Sequence, residues 1–307
     1  MQQLTNQERL RPWMGFLLSA IVVLALLFAG SAMQRAWGLW GLVATELMLL
    51  MLAVGYCLIC HVRLKEVLPV RRISGREFGG TLLLLAGGYG ASMIALGLSL
   101  TIMPSSIKEI SALRDYLYAD RSVWLLIPVA AVLPAICEET IMRGAILSSF
   151  RSWKRDWLIV LTVGIVFGIF HLSPLRFLST SILGMLLAYL MVKRNNILLP
   201  MLLHFLNNLI AVALSALSGA AAQTVDAAAA FSSIQPVQLL GSYLVLGCCC
   251  PLLLVLGAKL ISPETHRKKR FLIAGIVSGV LFIAGLLMTI LPVFNGMIRT
   301  LTEMKGA

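Results

Sequence analysis

Charged residues are scarce in this chain. Asp, Glu, Lys and Arg make up 12% of its 307 residues, and only 13 of them are acidic. A water-soluble domain carries about twice that share, so a soluble enzyme or binding module is excluded. The six cysteines (Cys57, Cys60, Cys137 and Cys248 to Cys250) all lie in apolar stretches, where a free thiol acts as a small hydrophobe and no disulfide framework is indicated. Internal repeats, soluble linkers and the zinc-protease pattern H-E-x-x-H are also missing.

What is present is apolar sequence: 59% of the residues are hydrophobic and the mean hydropathy is +0.93. Nine apolar spans are read at 12–33, 37–61, 78–103, 122–148, 156–172, 176–193, 196–217, 237–261 and 271–294. Each approaches the ~20 residues that cross a bilayer as a helix, and the fifth and sixth are short. The expected fold is therefore all-α, a polytopic transmembrane helical bundle of eight to nine spans. It divides into N-terminal helices and an interfacial connection (1–121), a central core (122–217) and C-terminal helices (218–307). The first span is long for a signal peptide and reads as a retained helix, although Gly30-Ser31-Ala32 is a passable cleavage site.

Net charge is +12, and its placement follows the spans. With the N-terminus cytoplasmic and the spans alternating, 17 basic residues fall inside and seven outside, leaving Arg143 within the membrane. That bias predicts a multi-pass protein of the plasma membrane, N-terminus in and C-terminus out. The basic residues sit on short scattered loops and form no recognition fold, so no nucleic-acid partner is expected. The polybasic Thr265 to Arg270 stretch reads as an orientation signal, and the basic-free 218–236 segment as an outer loop. Ile107, Ile110, Leu113 and Leu117 recur at helical spacing in the charged 104–121 connection, which predicts a short interfacial helix. Cys57-Leu-Ile-Cys60-His61 matches a haem-attachment pattern but ends an apolar helix on the inner side, and reads as chance.

Polar residues that need a reason concentrate between 138 and 208. Glu138, Glu139 and Arg143 lie within six residues of one apolar helix, at roughly 2.5–3.5 kcal/mol per charge near mid-membrane. Glu139 and Arg143 are spaced i, i+4 and can pair, while Glu138 is rotated away by about 100° and can serve as a general base. Phe167 and His171 share a face just before Pro174, and His204 and Asn208 share another. An imidazole and a carboxamide that point together can donate to an oxyanion, or simply join helices. Rises of about 1.5 Å per residue place all four polar groups at overlapping depths. Glu46, in the second span, is a lone intramembrane carboxylate, read as partly snorkelling or hydrogen-bonded.

Glu138-Glu139-x-x-x-Arg143, Phe167-x-x-x-His171 and His204-x-x-x-Asn208, in this order on successive membrane helices, resemble the CAAX prenyl protease 2 and bacteriocin-processing (CPBP, or Abi) family of intramembrane endopeptidases. The resemblance covers residues 122–215 and extends to Leu183 to Tyr189 and Ile197 to His204 between the motifs. It implies hydrolysis of a peptide bond in a membrane-anchored protein or peptide, either a prenylated CAAX protein or a bacteriocin or signalling-peptide precursor. Carried over by motif, Glu138 and His171 activate water, His204 and Asn208 stabilise the tetrahedral intermediate, and Glu139, Arg143 and Phe167 hold the site. The expected cofactor is none; the alternative is a divalent metal such as zinc on Glu138, His171 and His204. The competing functions are a non-catalytic immunity or peptide-binding protein, and a transporter, which the missing inverted repeats disfavour.

Overall fold

The computed structural model describes residues 10–118, 121–221, 235–263 and 268–306. Among them the elements are helices: α1 (Pro12–Trp37), α2 (Leu39–Ile59), α3 (Gly75–Ile102), α4 (Ile107–Tyr118), α5 (Val123–Ser149), α6 (Asp156–Phe170), α7 (Pro174–Arg194), α8 (Leu198–Ala221), α9 (Pro236–Ile261) and α10 (Lys268–Gly306). Eight are long and apolar enough to cross a membrane, and α6, with 15 residues, is a shorter apolar helix. The chain is an integral membrane protein built as an α-helical bundle. The connection helix is present as α4. Residues 222–234 of the expected outer loop and 264–267 of the polybasic segment lie outside the described residues, as does Arg9.

α5 is the central helix, the most buried of the spans, with Ile141, Met142, Ile146 and Leu147 fully enclosed. Proline cannot donate to the helical ladder, and Pro128 and Pro134 both fall in its first half. The backbone there opens into a π-helical turn, Ile127–Val132, closed by Leu133 N–H on the Pro128 carbonyl. A second π-turn, Thr140–Ile146, follows directly after the two glutamates. Such wide turns slip the helix face by one residue, and they recur at functional sites.

α6 and α7 form a tight antiparallel hairpin around α5. Small residues let their backbones meet, as expected where lipid gives helices no hydrophobic reason to associate. A Cβ on Gly164 would lie 2.9 Å from Met185 N and 3.0 Å from Ser181 O, and one on Gly184 would lie 2.7 Å from Phe167 Cβ. α3 and α9 use the same device, with Gly87 against Leu254 N and the Cys250 carbonyl. Gly38 (φ 55°) turns α1 into α2, a conformation that side chains rarely adopt.

Contacts divide the bundle into two ends. At one, Tyr116 donates to Gly38 O (2.9 Å), Ser173 donates to Glu109, and Thr101 reaches Pro236 O (3.3 Å). At the other, Ile197 N–H bonds Pro69 O (2.9 Å) and Arg151 bonds Asn195 (2.7 Å). Arg194 pairs there with Glu77 (2.6 Å) and Lys193 with Asp156 (2.7 Å). The second end gathers Arg63, Lys65, Arg71, Arg72, Arg76, Arg151, Lys154, Arg155, Lys193, Arg194 and Lys259, and is strongly basic.

Gly164→Val forces valine methyls into the α7 backbone. We expect a stability loss of about 1–3 kcal/mol, read as an earlier thermal unfolding midpoint in detergent, while Gly275→Val on the open face of α10 leaves it unchanged.

Candidate active site

A cavity of about 600 Å³ lies between α1, α2, α4, α5, α7 and α8, at the less basic end of the bundle. Glu138, His171, His204 and Asn208 all line it, so residues 70 positions apart in sequence meet in one space. Leu113, Tyr116 and Leu117 of α4 cover it, and Leu26, Leu42, Leu49 and Leu183 make its apolar wall.

Beneath the cavity sits a closed ionic cluster. Glu139 and Arg143 are 0% exposed, and Arg143 Nη1 donates to Glu139 Oε1 at 2.9 Å. Arg143 Nη2 donates to the Gly184 carbonyl (3.0 Å), and the guanidinium stacks over the Phe167 ring at 4.7 Å. The same Glu139 oxygen accepts from His204 Nδ1 at 2.8 Å. Phe167 also meets both histidines edge-on, His171 at 4.9 Å and His204 at 5.7 Å between centroids. The i, i+4 pair foreseen on α5 is thus the joint at which α5, α6, α7 and α8 are fixed to one another.

Glu138 points the other way and keeps 21% of its side chain exposed, towards the cavity. Its Oε2 is 4.0 Å from His204 Nε2. His171 caps α6, just before Leu172 takes a left-handed conformation (φ 50°) that turns the chain into α7. His171 Nδ1 lies 2.9 Å from the Phe167 carbonyl. A carbonyl only accepts, so Nδ1 carries the proton and Nε2 presents a lone pair. Asn208 Oδ1 accepts from Asn207 Nδ2 (3.2 Å), which leaves the Asn208 amide donor group for the cavity. Among the described residues, no three of His, Cys, Asp and Glu are arranged to hold a metal ion. Glu138, His171 and His204 line the one cavity, with His204 Nδ1 engaged by Glu139 and His171 Nδ1 by the Phe167 carbonyl.

Residues 120–210 match the family model of the Rce1-like proteins, described as type II CAAX prenyl endopeptidase Rce1-like. Less than a third of the chain is covered, and this segment is similar to the Rce1-like family. The match spans α5 to α8, the helices that carry all three motifs. No curated protein and no solved structure matches the chain.

The Rce1-like segment does not supply the whole cavity. Gln34, Thr45 and Glu46 from α1 and α2, and Tyr116 from α4, line it from outside the matched residues. Sequence reasoning passed over Gln34, Thr45 and Tyr116, whose residue types are common in ordinary helix contacts. Glu46 did carry a signal, as an intramembrane carboxylate with no reason given. It does not snorkel: it is 3% exposed and lies against the site.

Removing one partner of a fully buried ion pair strands the other charge, at about 3–5 kcal/mol. Arg143→Ala and Glu139→Gln should each sharply reduce the folded fraction recovered by size-exclusion chromatography. Full recovery of Arg143→Ala would contradict the anchoring role of the Rce1-like core's ionic cluster.

Proposed function

We propose that this protein is an intramembrane endopeptidase that hydrolyses a peptide bond in a membrane-anchored substrate through a water activated by Glu138 and His171. The observation that carries the reading is the meeting of Glu138, His171, His204 and Asn208 on one cavity within a membrane bundle. The Rce1-like match supports the same class of chemistry.

In this mechanism the water lies between Glu138 and the Nε2 lone pair of His171. Glu138 takes one of its protons as the water oxygen bonds the scissile carbonyl carbon. Charge then develops on the carbonyl oxygen, where Asn208 and His204 donate hydrogen bonds. Glu139 accepts from His204 Nδ1 and so orients that ring, as a carboxylate orients an imidazole in hydrolases of other folds. When the carbon–nitrogen bond breaks, Glu138 passes its proton to the leaving nitrogen. Water and peptide become acid and amine, and the residues return to their starting states. No step requires a metal.

Orientation bears on the substrate. We place the basic end in the cytoplasm, as the positive-inside rule requires, with the protein in the plasma membrane. The cavity then lies nearer the outer face. That arrangement favours a peptide precursor exposed on the outer side over a prenylated CAAX terminus displayed in the cytosol.

Two outcomes test this. Glu138→Gln should lower cleavage by at least about 100-fold, as general-base removal does, with elution and unfolding unchanged. Turnover within a few-fold of wild type would remove Glu138 as the base. For orientation, Lys108→Cys at the α4 end should react with an impermeant thiol reagent in intact cells. Lys154→Cys should react only after permeabilisation, and the reverse pattern would invert the proposed topology.

A further inference from the structure

Besides the proposed catalytic set, the cavity has a second polar wall, built from α1 and α2. Ser31, Gln34, Thr45 and Glu46 line it. The donors of that wall are already committed. Ser31 donates to Leu26 O (3.1 Å), Thr45 to Gly41 O (2.8 Å), and the Gln34 amide nitrogen to Thr45 Oγ1 (3.3 Å). Tyr116 of α4, which also lines the cavity, donates its hydroxyl to Gly38 O (2.9 Å). What remains is acceptors: the Gln34 carbonyl oxygen, and Glu46, which is 3% exposed and whose Oε2 is buried without a hydrogen-bond partner. Glu46 takes part in no ion pair among the described residues. A buried acceptor left unpaired is costly, and a donor supplied by a ligand removes that cost.

The neighbours of Glu46 define the kind of donor that fits. Leu42, Glu46 and Leu49 are spaced i, i+4, i+7 on α2, so they share one face, and all three line the cavity. A stripe of leucine, carboxylate and leucine suits a long side chain with an aliphatic stem and a cationic head, which is lysine or arginine. An anionic group would meet only acceptors there. The cavity's charge of the opposite sign, Arg176, stands on α7 and donates to the His171 carbonyl (3.3 Å). We infer that Glu46 and Gln34 form a subsite for a basic side chain of the substrate. The inference rests on the endopeptidase reading and names its substrate class: a membrane-anchored peptide with a lysine or arginine close to the cut. Glu46 is the eighth residue of α2, about 10 Å below the less basic end of the bundle. A basic side chain admitted from that end crosses about a third of the ~30 Å hydrocarbon before it is paired. The full cost of a charge at mid-membrane is therefore not met. The subsite lies outside the Rce1-like segment, so recognition and chemistry come from different parts of the chain.

Two measurements on the full-length purified protein test this. The first needs no cleavage. Butylguanidinium, a basic head on an alkyl stem, should raise the thermal unfolding midpoint saturably, and butylurea, its neutral counterpart, should not. Glu46→Gln should weaken that binding by at least about 10-fold, as loss of one buried charge partner does, while Glu138→Gln binds within a few-fold of wild type. No saturable shift in wild type, an equal shift in folded Glu46→Gln, or loss in Glu138→Gln alone would overturn the subsite. The second measurement is cleavage of peptides that carry lysine, norleucine or glutamate at each position around the cut in turn. Their N-termini are acetylated, which removes the terminal ammonium as a rival cation. At one position lysine should exceed norleucine in kcat/KM by about 10-fold or more. Glu46→Gln should erase that difference, and Glu46→Lys should turn the preference to glutamate. Indifference at every position in wild type, or a lysine preference that survives both substitutions, would overturn the proposal. If butylguanidinium binds through Glu46 but no peptide is cleaved, the cation subsite stands and the endopeptidase reading fails instead.

Discussion

Everything about the site depends on one buried charge interaction. Arg143 and Glu139 lie in the middle of a membrane bundle with no exposure, where an unpaired ion would not be tolerated. Each partner is held from several directions, with Glu139 Oε2 and Arg143 Nε left without a hydrogen bond. The guanidinium bonds α7 through the Gly184 carbonyl and stacks on Phe167 of α6, and the carboxylate holds His204 of α8. The ion pair therefore sets the relative positions of four helices. It also lets the adjacent residue, Glu138, remain uncommitted and face the cavity. Two neighbouring glutamates thus have separate tasks because one helical step of about 100° separates their directions.

Small residues make the clamp possible. Arg143 reaches the Gly184 carbonyl only because α7 presses against α6 at Gly184 and Gly164, where any larger residue would hold the backbones apart. In a membrane this close approach is also what binds the helices, by dispersion rather than by exclusion of water. The prolines of α5 contribute differently. By opening a π-turn ahead of Leu133–Glu139, they shift the register in which the glutamates meet α2 and α8.

The number and approximate limits of the helices were legible in the sequence, because a run of about 20 apolar residues has few alternatives to a spanning helix. The central motifs were legible as well, since the i, i+4 spacings of Glu139 with Arg143 and of Phe167 with His171 translate directly into shared faces. Partners across helices were harder. Nothing in sequence spacing says that His204 bonds Glu139, or that Glu46 on α2 lines the same cavity as Glu138, because those meetings depend on how helices rotate and cross. The rings of His171 and His204 show the same limit. Which nitrogen of each faces the cavity is decided by tertiary hydrogen bonds. The π-turns were hidden too, although the prolines that accompany them were in view.

The turn after α6 has a mechanical consequence. His171 stands on it, as the C-cap just before a left-handed Leu172, and Ser173 two positions on is tied to Glu109 of α4. α4 in turn covers the cavity and is latched to the α1–α2 corner through Tyr116 and Gly38. A displacement of α4 would pull through Ser173 on the turn that carries His171, so the cover of the cavity and the imidazole in its wall sit on one lever.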